Sequence, residues 1–146
     1  MKKVVFLFGI AILVGIILAF EFGKGNDIKY ASGESNVTCD LNLDNCSVQV
    51  SGEPVTFAFS PKPLVAMVPT SLKIYGLKGE FKELKARIYG LNMDMGVIEV
   101  DLEKRSDIYM SNVVLSSCVV SLMQYRLELF DGKKPLGIHI DFNLKS

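Results

Sequence analysis

Apolar and polar residues follow two different patterns in this chain. After Lys2 and Lys3, Val4–Phe20 is an unbroken run of seventeen uncharged, mostly apolar residues. As a helix the run is roughly 26 Å long, close to the ~30 Å hydrocarbon core of a bilayer. Phe22 extends it if Glu21 sits among the headgroups, since a modest mismatch costs little. Residues 1–22 are therefore predicted to form one N-terminal transmembrane helix.

Further along, the pattern changes to short segments of period two, which places one face of a strand in a core. Ile138, Ile140, Phe142 and Leu144 alternate with His139, Asp141 and Asn143. Met123, Tyr125, Leu127 and Leu129 alternate in the same way with Gln124, Arg126 and Glu128. Asp131-Gly132 lies between the two segments, and a glycine able to take positive φ makes them a hairpin. Further strands are predicted at Ser47–Val50, Val55–Phe59, Ser71–Tyr75, Lys85–Tyr89, Val97–Leu102 and Tyr109–Leu115. Pro54, Pro61, Pro63 and Pro69 fall at strand ends, where a missing N–H does least harm. Short strands at regular spacing, without helical periodicity after residue 22, predict an all-β fold: an immunoglobulin-like antiparallel β-sandwich of about 7–8 strands, with a small barrel as the alternative.

A cleaved signal peptide would also begin with a basic pair and an apolar run. Here the run exceeds the usual ~7–15 residues and leaves through Ala19-Phe20-Glu21-Phe22, without the small residues that cleavage needs. An uncleaved anchor is the expectation. With the lysine pair on the cytoplasmic side, the chain would be a single-pass protein of the inner (cytoplasmic) membrane. Its C-terminal domain would lie in the periplasm or outside the cell. Residues 23–37 are rich in Gly, Ser, Asn and charge and read as a flexible tether, leaving 38–146 as one domain of ordinary size. The tether carries Asn36-Val37-Thr38, an N-glycosylation pattern, with Glu34 two residues ahead of Asn36 as in the extended bacterial acceptor; a plain solvated tether is the other reading.

Sixteen acidic residues balance sixteen Lys plus Arg, and no basic block interleaves with aromatics. Nucleic acid has no electrostatic reason to bind such a chain. Enzymatic readings lack parts. His139 is the single histidine and is placed on the outward face of its strand, and no phosphate loop, zinc pattern or nucleophile–base pair accompanies it. The expectation is a non-catalytic protein.

Cys39 and Cys46 flank a short polar segment, and outside the cytoplasm a disulfide between them is expected. Cys118 is then unpaired. It is flanked by Val113-Val114-Leu115 and Val119-Val120, so burial as a small hydrophobe is one account. The other joins it to Met93, Met95 and Met123 as a soft thiolate and thioether set of the kind that selects Cu(I). Asn92-Met93-Asp94-Met95-Gly96 reads as a turn between two strands.

From Val55 to Leu144, the order Ser60-Pro61-Lys62-Pro63, Gly90-Leu91-Asn92-Met93-Asp94-Met95-Gly96, Tyr109, Leu115-Ser116-Ser117-Cys118 and Met123-Gln124-Tyr125 resembles the FixH-like and YtkA-like extracytoplasmic domains. The resemblance implies a membrane anchor, an immunoglobulin-like sandwich with a Met-rich turn and, for some members, a part in building the copper centres of respiratory oxidases. Tyr125 stands where tryptophan is usual, and no histidine accompanies the Met-Asp-Met turn. Two functions follow as expectations. One is a module holding Cu(I) through Met93, Met95, Cys118 and Met123 for a respiratory-complex partner. The other is a metal-free structural domain or one that binds another envelope protein.

Overall fold

The computed structural model describes residue 37 and residues 39–116 and 120–145. The predicted transmembrane helix, the tether through Asn36, and Cys118 lie outside them. Among the described residues, no helix is long and apolar enough to cross a membrane.

Nine strands follow one another: β1 (Cys46–Val50), β2 (Glu53–Ser60), β3 (Pro69–Tyr75), β4 (Leu84–Gly90), β5 (Val97–Asp101), β6 (Glu103–Arg105), β7 (Ile108–Val114), β8 (Leu122–Asp131) and β9 (Lys134–Lys145). They form two antiparallel sheets, one ordered β1-β2-β3-β7-β6 and the other β5-β4-β8-β9. Eight strands lie where period two predicts them. The additional strand, β6, consists of Glu103, Lys104 and Arg105, all exposed. With no apolar residue it has no alternation to read, and it exists because β7 offers an edge, pairing Glu103 with Met110 and Arg105 with Ile108. Leu102, between β5 and β6, is buried and donates its N–H to the Leu84 carbonyl at 2.9 Å. The crossing from one sheet to the other is thereby pinned to β4.

The inward faces of both sheets meet in one core. Val55, Phe57, Phe59, Leu72, Ile74 and Val113 come from the first sheet, and Ala86, Ile88, Leu127, Leu129, Ile140 and Phe142 from the second. Each of the Val, Leu, Ile and Phe side chains among them contributes about 1.5–3 kcal/mol when fully withdrawn from water. Phe59 and Phe142 meet across the sheets with ring centroids 5.6 Å apart.

The predicted hairpin is β8–β9, with Met123 opposite Leu144, Tyr125 opposite Phe142 and Leu127 opposite Ile140. Its turn uses Gly132 at φ 58°. The Asp131 carboxylate accepts from the Lys82 and Glu83 N–H groups at 3.0 and 2.8 Å. Gly132 N–H in turn donates to the Glu83 carbonyl at 2.8 Å, so the turn is tied to the β3–β4 connection. On the outward face His139 is exposed, while Arg126 grips Asp141 with two bonds of 2.7 and 2.9 Å.

Candidate functional site

Strand direction decides which connections share an end of the sandwich. β1, β3, β5 and β8 start at one end, and β2, β4, β7 and β9 finish there. Segments 39–45, 61–68 and 91–96 therefore converge at this end with residues 115–116 and 120–121, and the continuously described chain begins here at Cys39. We call it the proximal end. The turns at the opposite, distal end are polar: Ser51-Gly52, Ser106-Asp107 and Gly132-Lys133, with the charged connection 76–83.

The incoming segment is held in three ways. Cys39 and Cys46 form the expected disulfide, with Cα atoms 5.8 Å apart. Leu41, inside this small loop, is fully buried. Asp40 organises a turn, accepting at its carbonyl from Leu43 and Asp44 N–H and at its carboxylate from Asn42 N–H. Asn42 Nδ2 then donates to the Asn143 carbonyl of β9 at 2.5 Å.

The Met-rich segment is the turn its composition predicts. Asp94 accepts from Gly96 N–H at 3.0 Å, the local bond that favours Asx residues in bends. Asn92 fastens the turn to the start of β8: its Nδ2 donates to the Leu122 carbonyl at 2.8 Å, and its Oδ1 accepts from Gln124 N–H at 3.0 Å. Leu91 N–H adds a bond to the Gln124 carbonyl at 2.7 Å. Gly90, the last residue of β4, makes the fold-back possible. A Cβ there would stand 2.1 Å from the Met93 carbonyl oxygen and 3.5 Å from the Met123 methyl. The Met93 backbone and the Met123 side chain thus meet over one residue that has no side chain.

The four predicted sulfur residues are unequally placed. Met93 and Met95 are half-buried and pack against the core. Met123 is 1% exposed and belongs to the core itself. Cys118 lies outside the described residues, between β7 and β8 in the sequence. Among the described residues, no three His, Cys, Asp or Glu side chains are grouped to hold a metal, so any ion here depends on thioethers and the Cys118 thiol. The available fit is two half-buried thioethers in a clamped turn beside a third that is packed away.

Gly90 and Asn92 position this turn, yet sequence reasoning treated them only as part of a motif. The one signal pointing to them is that both flank Leu91 at the end of a predicted strand. A second feature of the same end was missed altogether. Leu43, Val65, Met67, Val68 and Val114 are the exposed large apolar side chains among the described residues, and all five belong to the proximal end. Met67 has φ 61°, and its N–H is bonded to the Leu115 carbonyl at 2.8 Å. Lys62 Nζ reaches Asn45 Oδ1 at 3.3 Å, joining two of the converging segments.

Elsewhere the surface carries charge ladders and shallow depressions. Glu99 accepts from Arg87 Nε at 2.6 Å and Lys85 Nζ at 3.1 Å, and these cations, Arg87 first, hold its carboxyl below the usual range. Burial, then the Glu128 charge, pushes the Tyr89 phenol up. An open depression of about 500 Å³ is lined by Ser71, Asp101, Glu103, Arg105, Met110 and Asn112.

Comparison of the chain with protein-family models, curated proteins and solved structures finds no match.

Proposed function

We propose that this chain is a non-catalytic, membrane-anchored extracytoplasmic module whose working part is the proximal end of an immunoglobulin-like sandwich. The strand order supports the fold reading: β2-β3-β7-β6 against β5-β4-β8-β9 follows the ABED and C′CFG arrangement of immunoglobulin sheets. β1 is an added edge strand. Tyr125, near the start of the strand equivalent to F, donates to the Ser116 carbonyl upstream at 2.7 Å, as the tyrosine corner of such domains does.

The observation that carries the functional reading is convergence. Met93, Met95 and Met123 come from separate parts of the sequence and belong to one end, and the strands that flank Cys118 in the sequence, β7 and β8, respectively end and begin there. Soft donors gathered this way suit Cu(I), in keeping with the resemblance to FixH-like and YtkA-like domains and their association with respiratory copper centres. The test is an anaerobic Cu(I) titration of the full chain in detergent against a competing chelator. Stoichiometric binding that disappears in a Cys118→Ser, Met95→Leu double variant is expected. Absence of binding by the folded parent would overturn the metal reading.

A second reading is favoured by the burial of Met123 and by the apolar side chains exposed nearby. In it the sulfurs are packing groups and the same end is a docking surface for an envelope partner. Crosslinking from Val65 in intact membranes would yield a discrete protein adduct on that reading.

A further inference from the structure

The two ends of the sandwich differ in character, and the difference lines up with the direction from which the chain arrives. The distal turns present Ser, Gly, Asp, Lys and Glu. The proximal end presents Leu43, Val65, Met67, Val68 and Val114, with exposures of 73, 54, 68, 44 and 44%. Single exposed apolar residues are ordinary, but a group confined to one end marks an interaction surface. Met67 adds a second, independent sign. Its left-handed φ of 61° is a conformation that long side chains avoid, so the backbone is held there while an apolar side chain points outward. Cost retained at an exposed tip is a pointer to function.

We propose that the proximal end docks on the surface of a lipid bilayer, with the 65–68 tip and Leu43 seated among the headgroups and upper acyl chains. The inference rests on the anchor reading of residues 1–22 and goes beyond it by specifying which part of the domain meets the membrane. Chain connectivity selects the occupant. The incoming segment is clipped to the proximal end by Cys39–Cys46 and by Asn42 on β9. Read from its Gly-, Ser- and charge-rich composition as a tether, the fifteen-residue segment 23–37 would have a mean span of roughly 20 Å. On the anchor reading, lipid would then be at high effective concentration beside this end, since the charged distal turns are separated from Cys39 by the length of the strands. A zero net charge leaves apolar insertion, not attraction to anionic lipid, as the driving force.

The chain contains no tryptophan, so single tryptophans report position cleanly. Met67→Trp and Val65→Trp place the probe in the tip, and Lys133→Trp places it in a distal turn. Each full-length variant is reconstituted in phosphatidylcholine vesicles with and without brominated acyl chains, and retention is checked by flotation. Both tip probes should lose roughly half of their emission to bromine, as rings seated ~5–10 Å into the interface would, while Lys133→Trp loses little. If the chain floats with the vesicles and the tip probes are quenched no more than the distal one, docking is overturned and the anchor reading stands. Chains that fail to float overturn the anchor reading and the docking that rests on it. Having two tip positions guards against local misfolding, and agreement between them is required for support.

Discussion

The Tyr125 hydroxyl donates to the Ser116 carbonyl at 2.7 Å across the corner that joins β7 to β8. The ring, 1% exposed, stacks on Phe142 with centroids 5.5 Å apart. One residue thus fills the core and satisfies a backbone acceptor on the connection that leads to Cys118. Tyr125→Phe keeps the stacking and removes the bond. Leaving a partly buried carbonyl without its donor costs about 1–2 kcal/mol, which for a domain of this size lowers Tm by roughly 4–10 °C. Thermal unfolding followed by circular dichroism measures this, and an unchanged Tm would mean that the hydroxyl contributes nothing net.

Gly90 is predicted to be intolerant of any side chain. It has no need of positive φ; the constraint is the Met93 carbonyl oxygen, 2.1 Å from where a Cβ would stand. Gly90→Ala must push the 91–96 turn off β8, straining the Asn92 bonds to Leu122 and Gln124. Overpacking of this kind costs about 1–3 kcal/mol. Amide exchange at Leu91 and Gln124 should accelerate well beyond that at distal residues such as Gly132. Uniform acceleration across the domain would instead indicate general destabilisation without a displaced turn.

The disulfide closes a short loop, and its effect is expected to be modest. In the chain-entropy account, removing it costs about 2–3 kcal/mol. Cys46 and Leu41 are buried, so reduction also releases a corner of the core. Equilibrium urea unfolding with and without reductant should move the midpoint downward while leaving a folded, cooperative domain. Complete unfolding on reduction would assign the clip a larger role than loop closure explains.

Acid sensitivity has a definite sign at Glu99. Arg87 and Lys85 hold its carboxyl below the ordinary value of 4.5 in the folded chain. A depressed carboxylate stabilises the fold fully above its unfolded value, and that stabilisation is lost as pH falls through the folded one. Stability should therefore decline below about pH 4.5, and Glu99→Gln should flatten part of that decline. The Glu99 side chain is 40% exposed, so the effect shrinks in high salt. An identical pH profile in the glutamine variant would remove Glu99 from the account.

How far the molecule was legible in its sequence depends on which residues carried the signal. Alternation placed Met123, Tyr125, Leu127 and Leu129 on the core face, and all four are buried there. The turn at Asp131-Gly132 was legible because a glycine marked it. Pairing between strands was not, since period two says that a strand has a buried face and nothing about its neighbour. β3 pairing with β7 brings together segments more than thirty residues apart by topology alone. β6 is hidden because charged residues form it only on an edge already made. At the proximal end the Met-Asp-Met turn was readable from Asn, Asp and Gly. The burial of Met123 was readable too, from its phase with Tyr125. The exposure of Val65, Met67 and Val68 was not, because an apolar triplet between two strands reads as packed until the fold leaves it outside.

Met67 offers the most direct trial of whether that exposure has a purpose. Ser51 and Ser106 also take positive φ, at 52° and 55°, but both sit in tight polar turns, where a short hydroxyl side chain is at home. Met67 differs in being long, apolar and 68% exposed. Met67→Gly relieves the left-handed strain, offset in part by the greater freedom of glycine in the unfolded chain, and should raise stability by about 0.5–1 kcal/mol. Met67→Ala keeps the strain and should bring no gain. In vesicles the order reverses in consequence: with Met67→Gly added, bromine quenching of the Val65→Trp probe should weaken because an inserting side chain is gone. A variant that is both more stable and less well docked would mean the native residue is kept for the membrane and not for the fold. Equal or lower stability in Met67→Gly would show instead that the conformation carries no strain to relieve, removing one of the two supports for docking.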